Sequence, residues 1–270
     1  MITFTYKNYK RITINLFLKN KGYSDNNIFY LIKNKNVLDN DEVVKDKNHL
    51  LKFNHTIKVI LNEEENNLIK CDSKLDILYE DNYLLIVNKP YGIEVEPSMN
   101  NNETTLANIV SNYYELKGIK SKIHLVNRLD KLTSGIIILA KNQYIHNLFK
   151  KVKITKKYKA LVMGKTNSRG CIKVNIAKKE DSIERYVDDS GKLSITKYKL
   201  LSYKDNESLV DIKLITGRTH QIRVSFAHIN NPLISDPLYG KTIIGKDMFL
   251  KAYYIKFIHP VNKKVVKISI

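Results

Sequence analysis

The sequence predicts an α+β protein in which strands predominate and do not alternate with helices in βαβ order. Four stretches in the second half alternate in polarity or run apolar between turn residues, at 158–163, 194–203, 208–214 and 253–257. Helical spacing of apolar residues is confined to a few shorter stretches. With 270 residues, the chain is long enough for one large domain or for two of unequal size.

The first segment predicts a small unit of two helices and short strands. Apolar residues fall on one face around Ile12–Phe17 and again around Ile28–Ile32, which favours two short helices. Residues 37–44 and 50–61 are strand-like, with the turn-prone run DND at 39–41. The charged run EEENN at 63–67 then interrupts the apolar pattern, so we place a boundary at roughly 63–73 and predict domains at 1–65 and 66–270.

The second segment begins with predicted strands at 75–79 and 83–87, the latter ended by the turn NKPYG at 88–92. A threonine cap predicts a helix from about 104 to 117. Residues 135–140 form a continuous apolar run typical of a buried strand, and 143–152 have helical spacing.

Composition points to a polyanionic partner. The chain has 46 Lys and Arg residues against 27 Asp and Glu residues, which gives a formal net charge of +19. The base composition of the source genome accounts for part of the excess of Lys and Asn. The two cysteines lie far apart and outside any zinc-binding spacing, so we expect a reducing cytoplasm. The sequence has neither a signal-like start nor an apolar run that could span a bilayer, and we expect a monomer with no membrane partner.

The strongest candidate site is the run HLVNRLDKLTSG at 124–135, a polar loop that leads into a buried strand. Arg128 and Asp130 are two residues apart, so an extended backbone projects both to one side. Taken alone, a loop aspartate such as Asp130 is more often a surface carboxylate, here paired with Arg128 or Lys131. The arrangement Arg-Leu-Asp, two residues, Thr-Ser-Gly and an apolar strand resembles the central loop of the RluA-type pseudouridine synthase family.

A second block strengthens this resemblance. LITGRTHQIRV at 214–224 followed by NPLISDPLYG at 231–240 is similar to the family's other strong block, and alone would predict a cationic helix that contacts phosphates or solvent. NKPYG at 88–92 and KYKALVMG at 157–164 are weaker matches. The resemblance covers residues 75–260 and implies a mixed, mainly antiparallel sheet flanked by helices, with conversion of uridine to pseudouridine in RNA.

The resemblance also implies roles for three residues. Asp130 would be the nucleophile, either by attacking the substrate or by stabilising charge at C1′ and removing the C2′ proton. Arg223 would pair with this carboxylate and keep it ionised, with a phosphate contact as the alternative. Tyr158 would stack on the target base and help to move the C5 proton, with an ordinary strand tyrosine as the alternative. Such an isomerisation needs neither a redox cofactor nor a metal.

RNA contacts are expected from the basic and polar residues of these blocks. Because a uracil stacked in a helix is unreachable, the enzyme would flip it into the pocket and hold the flanking backbone with its basic surface. The residues expected to contact RNA are Arg128, Arg218, His220, Gln221 and Lys89. Asn127 departs from the family, since many relatives have His there, but its amide still donates and accepts hydrogen bonds.

The front segment, residues 10–62, resembles an S4-type RNA-binding module. It departs from that module where basic residues are common, at Asp25, Asn26 and Asn27, and where glycines are usual, at Lys35, Asp41 and Asn54. Since Arg and Lys usually supply phosphate contacts, a mainly structural role is an alternative. The module favours large-subunit (23S) ribosomal RNA as the substrate. A transfer-RNA enzyme of the same family and a non-catalytic RNA-binding or ribosome-assembly protein are the other hypotheses.

Overall fold

The computed structural model describes residues 1–61, 66–99, 101–180 and 182–270. It divides into two compact units, residues 1–66 with 120–122, and residues 67–119 with 123–270. Residues 63–65 of the charged run expected between the domains lie outside the described residues. The α+β class is confirmed, because both units combine helices with sheets. No helix in the described ranges is long and apolar enough to cross a membrane.

The first unit has a four-stranded antiparallel sheet in the order β1-β4-β2-β3. Its strands are β1 (Ile2–Thr5), β2 (Val37–Asp39), β3 (Glu42–Val43) and β4 (Thr56–Val59). The two predicted helices are confirmed as α1 (Ile14–Asn20) and α2 (Asp25–Lys33), capped by Thr13 and Ser24.

Two strand predictions in this unit were wrong in extent. The stretch 37–44 is a hairpin, because Asn40 and Asp41 adopt positive φ angles of 46° and 69° and turn the chain. Of the stretch 50–61, only β4 is a strand. The turn residues were visible in the sequence, but they lay inside a run that also fitted one strand.

The second unit is built on an eleven-stranded sheet, in the order β11-β10-β12-β13-β9-β14-β8-β6-β5, with β15 paired to β14 and β7 paired to β8. All pairings are antiparallel except that of β14 with β8. The strands are β5 (Ile77–Glu80), β6 (Leu84–Lys89), β7 (His124–Leu125), β8 (Ser134–Ala140), β9 (Thr155–Met163), β10 (Arg169–Lys178), β11 (Arg185–Val187), β12 (Lys192–Lys204), β13 (Glu207–Leu214), β14 (Leu250–Ile258) and β15 (Val265–Ser269).

Three helices accompany this sheet: α3 (Leu106–Leu116), α4 (Gln143–Phe149) and α5 (Gln221–His228). The threonine cap predicted for α3 is confirmed, since the Thr105 side chain accepts from the Asn108 backbone N–H. β10 was not predicted, because its frequent charged and polar residues conceal a half-buried strand between β11 and β12. The predicted sheet is confirmed as mixed and mainly antiparallel.

The interior strand β8 approaches β14 closely at one glycine. Gly135 has a φ of +115°, and a Cβ added there would lie 2.2 Å from the backbone oxygen of Ala252. Gly135 pairs with Ala252 in the parallel ladder and with Lys89 in the antiparallel ladder to β6. Only glycine fits this backbone conformation and this contact, and the strand that follows the candidate loop is therefore fixed in position.

We expect Gly135→Ala to lower the free energy of unfolding by about 3 kcal/mol or more, since it combines a strained φ with overpacking against backbone. The measurement is urea denaturation followed by circular dichroism. Gly217→Ala is the matched control, because its φ is not in the left-handed region and an added Cβ meets nothing within 4 Å. Equal midpoints for the two variants would contradict this account of the β8–β14 contact.

Candidate functional site

The loop that carries Asp130 is fastened to β8 by the Asn127 side chain. Its amide nitrogen donates to the Ile136 carbonyl at 3.2 Å, and its oxygen accepts from the Ile138 backbone N–H at 2.8 Å. Beyond it, the Asp130 carbonyl accepts from the Thr133 backbone N–H at 3.0 Å. These bonds fix the loop on both sides of Asp130. The Asp130 side chain, which is 31% exposed, therefore lies shortly before the start of β8.

Arg223, on α5, lies between two carboxylates. Its Nε donates to Oδ2 of Asp236 at 2.7 Å and its Nη2 donates to Oδ1 of Asp236 at 2.6 Å, a bidentate pair whose side chains are nearly inaccessible. The remaining nitrogen, Nη1, lies 3.8 Å from Oδ2 of Asp130. The guanidinium is therefore oriented by Asp236 and presents its third nitrogen to Asp130.

The two members of this buried pair shift each other's pKa values. Burial acts to lower the pKa of Arg223, but hydrogen bonding and attraction to Asp236 outweigh burial and raise it. Burial likewise acts to raise the pKa of Asp236, whereas the bonds from Arg223 and from two backbone N–H groups lower it. Both groups consequently remain charged. The sequence did not predict this pair, because nothing in the DPLYG run connected Asp236 to Arg223.

His220 faces the same carboxylate oxygen from the other direction. Its Nε2 lies 3.9 Å from Oδ2 of Asp130, and its Nδ1 shares a 2.8 Å hydrogen bond with the Tyr239 hydroxyl. The Tyr239 oxygen also accepts from the Arg185 backbone N–H at 2.8 Å, and its ring lies 5.1 Å from the Arg223 guanidinium carbon. Tyr239 thus links His220, Arg223 and β11 in one assembly.

The conformation and titration of His220 reflect this packing. It precedes α5 with a φ of 55°, a left-handed conformation that is uncommon for a non-glycine residue. Burial lowers the pKa of His220, and the positive charge of Arg223 lowers it further, although Asp130 opposes both. The neutral imidazole is consequently favoured near neutral pH.

Tyr158 lies on β9 and lines the same cavity as Asp130. Its side chain is 6% exposed. Burial raises the pKa of its phenol, and the nearby charge of Asp130 raises it further. The phenol therefore keeps its proton under ordinary conditions, and its ring supplies an apolar wall beside the carboxylate.

Lys156 lines this cavity as well and was not anticipated as a site residue. It precedes Tyr158 by two positions on β9, so the strand alternation directs both side chains to one face. Burial lowers the pKa of Lys156. The spacing Lys-x-Tyr on a predicted strand was the available signal.

The cavity has a volume of about 940 Å³, near the upper end of the range for small-molecule sites. Cations outnumber acids at its rim, but some of them are paired: Arg128 lies 3.0 Å from Glu96, and Lys131 lies 3.8 Å from Glu94. Arg218 also lines the cavity, and its Nε donates to the Leu193 carbonyl. In the described ranges, no group of three or more His, Cys, Asp or Glu side chains is arranged to hold a metal ion.

Two residues expected to contact RNA are buried in the structure. Lys89 is 0% exposed, and its ammonium donates to the backbone carbonyls of Pro90, Ile93 and Lys131 at 2.8, 2.8 and 3.1 Å. Gln221 is 3% exposed, and its amide bonds to Ile195, Thr196, Thr216 and Arg218. Both side chains direct their polar atoms to neighbouring groups of the protein. A basic or polar residue in a motif does not reveal that its side chain is buried in this way.

Lys89 connects the NKPYG turn to the Asp130 loop through Lys131. Burial lowers the pKa of Lys89 to about 8, against the attraction of Asp130. We expect Lys89→Met to lower the free energy of unfolding by about 2 kcal/mol or more, because three hydrogen bonds from a buried ammonium to backbone carbonyls are lost. The measurement is urea denaturation, with Lys213→Met as the control at an exposed position on β13. Equal stability of both variants, with weaker RNA binding by Lys89→Met alone, would restore the RNA-contact hypothesis.

Comparisons with known proteins agree on one family. The family model described as RNA pseudouridylate synthase matches residues 83–228. Ribosomal large subunit pseudouridine synthase D of Buchnera aphidicola subsp. Schizaphis graminum is 35% identical, covering 80% of this chain and 78% of that protein. Ribosomal large subunit pseudouridine synthase C of Buchnera aphidicola subsp. Baizongia pistaciae is 32% identical, covering 98% of this chain and 88% of that protein.

Comparison with solved structures supports the same family. The solved structure of human RNA Pseudouridylate Synthase Domain Containing 1 superimposes with a TM-score of 0.61 at 25% identity, covering 75% of this chain and 86% of that chain. The match of the family model includes the Asp130 loop, Tyr158 and Arg223. The chain therefore belongs to the RNA pseudouridylate synthase family, and it is an enzyme that isomerises uridine to pseudouridine in RNA.

Proposed function

We propose that the chain modifies uridine in large-subunit ribosomal RNA, with Asp130 as the nucleophile. The observation that carries the catalytic part is the convergence of Asp130, Arg223 and Tyr158 from three separate elements on one set of connected pockets. The substrate part is supported by relatives that are named as ribosomal large subunit pseudouridine synthases. The transfer-RNA alternative differs only in substrate.

The reaction breaks the bond between C1′ and N1 of uridine, turns the uracil, and joins its C5 to C1′. The proton lost from C5 is balanced by the proton gained at N1, so neither oxidant nor reductant is consumed. Asp130 supplies the electron pair by one of two routes. It attacks C1′ directly and is displaced when C5 joins C1′, or it takes the C2′ proton as charge develops at C1′ and returns that proton to C2′ when C5 joins C1′. Both routes require an ionised carboxylate that reaches the sugar.

Arg223 and Tyr158 divide the supporting tasks. Arg223 presents Nη1 to Asp130 at 3.8 Å, so its positive charge lies beside the proposed nucleophile. Tyr158 keeps its proton, since burial raises its pKa, and offers a ring for stacking and a hydroxyl for proton transfer near C5. His220 lies 3.9 Å from the same carboxylate oxygen and is itself oriented by its hydrogen bond with Tyr239.

Extrusion of the base agrees with the position of the carboxylate. Asp130 lies within a cavity of about 940 Å³ that a uracil stacked in a helix would not enter. The cations Arg128, Lys156 and Arg218 line the same cavity and can meet the backbone on both sides of the flipped nucleotide. The formal charge of +19 adds a long-range attraction that depends on salt.

The first unit is proposed to be an S4-like RNA-binding module. Three residues at positions where that module usually has glycine adopt left-handed backbone here: Lys35, Asp41 and Asn54, with φ of 59°, 69° and 64°. Such angles are unfavourable for most side chains and routine for glycine. Retention of this backbone without glycine supports the proposed relationship. A cytoplasmic location and a monomeric state remain predictions.

The decisive experiment measures tritium release from RNA labelled at uracil C5. We expect wild-type protein to release tritium from 23S ribosomal RNA and Asp130→Asn to release none above background, because an amide cannot act as the nucleophile. Far-UV circular dichroism of both proteins controls for folding. Release from transfer RNA alone would overturn the ribosomal substrate, and full activity of Asp130→Asn would overturn the assigned nucleophile.

Two arginines of the site should differ in their effects. Arg223→Ala should lower kcat by about 100-fold or more with little change in the Kd for RNA, because its charge is directed at Asp130. Arg218→Ala should weaken RNA binding and lower the slope of log K against log salt by about 1, as expected for one lost phosphate contact.

Because Arg223→Ala leaves Asp236 buried and unpaired, its activity is measured below its own Tm and compared with that of Arg223→Lys. Recovery of only part of kcat in Arg223→Lys is expected, since lysine supplies charge without the bidentate geometry. If Arg223→Ala weakened RNA binding and left kcat intact, Arg223 would be a phosphate contact instead.

A further inference from the structure

Two loops of the first unit present an exposed pair of stacked aromatic rings. Tyr9 and Phe53 have ring centroids 4.1 Å apart and planes inclined by 9°. Tyr9 is 82% exposed and Phe53 is 45% exposed. Large aromatic rings left in water contribute little to folding, so a stacked and accessible pair is better suited to binding a ligand with a flat face.

The pair is held in place by the backbone. The Asn54 N–H donates to the Tyr6 carbonyl at 2.8 Å, and the Tyr6 N–H donates to the His55 carbonyl at 2.9 Å. The buried Tyr6 side chain donates through its hydroxyl to the Lys10 carbonyl, and its ring packs edge-on against Phe17. The two loops therefore form one preorganised surface.

The two loop segments that carry the pair are rich in basic residues. The loop segments 5–13 and 47–55 contain no Asp or Glu. Four exposed cations flank the rings in sequence: Lys7, Lys10, Arg11 and Lys52. Among the residues that the structure describes, none of these four side chains forms an ion pair. Flat rings can stack on the base of a nucleotide, and cations close to them in the sequence can bind its phosphate.

We propose that the Tyr9–Phe53 pair is a stacking site for an unpaired base of the RNA substrate, with Lys7, Lys10, Arg11 and Lys52 holding the adjacent phosphates. The proposal rests on the proposed function in that the RNA is the enzyme's own substrate. It differs from a duplex-binding surface, because a base must be unstacked before its face can meet an aromatic ring. It also differs from helix-end phosphate contacts, since α2 begins with Asp25, Asn26 and Asn27.

The test uses the full chain and two fluorescent probes, a single-stranded 12-nucleotide oligouridine and an RNA duplex of 12 base pairs. Loss of one stacked base predicts that Tyr9→Ala weakens oligouridine binding about tenfold, whereas duplex binding changes by less than twofold. Tyr9→Phe should retain wild-type affinity because it keeps the ring. Tyr30→Ala is the matched control, a tyrosine of the same unit that is 61% exposed.

Photo-crosslinking separates this site from the catalytic cavity. Oligouridine carrying 4-thiouridine should give adducts on peptides that contain Tyr9 or Phe53, and Tyr9→Ala should lose the first of them. Unchanged affinity of Tyr9→Ala, or adducts confined to the second unit, would overturn the proposal and leave the rings for a protein partner. Tritium release is measured on the same preparations, so absence of isomerisation with crosslinking intact would count against the catalytic assignment alone.

Discussion

The active site depends on the buried ion pair between Arg223 and Asp236. Both side chains are almost inaccessible, and two short hydrogen bonds fix the guanidinium plane. Such a pair adds little net stability over apolar packing, but breaking it by removal of one partner costs about 3–5 kcal/mol. Here the pair fixes the orientation of the guanidinium. Asp236 binds two of its nitrogens, and the third, Nη1, therefore lies towards Asp130 at 3.8 Å.

The loop that carries the Asp130 carboxylate is supported by residues that are buried or nearly so. Lys89 ties the NKPYG turn to the Lys131 carbonyl beneath the loop, Asn127 fastens the loop to β8, and Gly135 allows β8 to approach β14. A nucleophile that must reach one sugar atom gains more from a rigid support than from proximity to further charges. The buried lysine is thus a structural cation beside the site.

The sequence motifs pointed to side chains suited to the proposed chemistry, but they did not reveal which polar side chains are buried. Asp130, Tyr158 and Arg223 come from distant positions yet meet around connected pockets. The burial of Lys89 and Gln221 was not foreseen, because a basic or polar residue in a motif does not tell whether its side chain faces water. Tertiary distance was equally hidden, so Asp236 and Tyr239 could be seen in a motif without any indication that they contact Arg223.

The choice of one uridine cannot arise in the pocket itself, since every uridine presents the same base and sugar to it. Selection must come from surfaces that contact flanking nucleotides or RNA shape. At the cavity rim, Glu96 and Glu94 already pair with Arg128 and Lys131, which limits how many phosphates the rim can hold. Discrimination among uridines therefore requires contacts farther from the reacting base, and an enzyme of this kind needs RNA-binding groups that take no part in its chemistry.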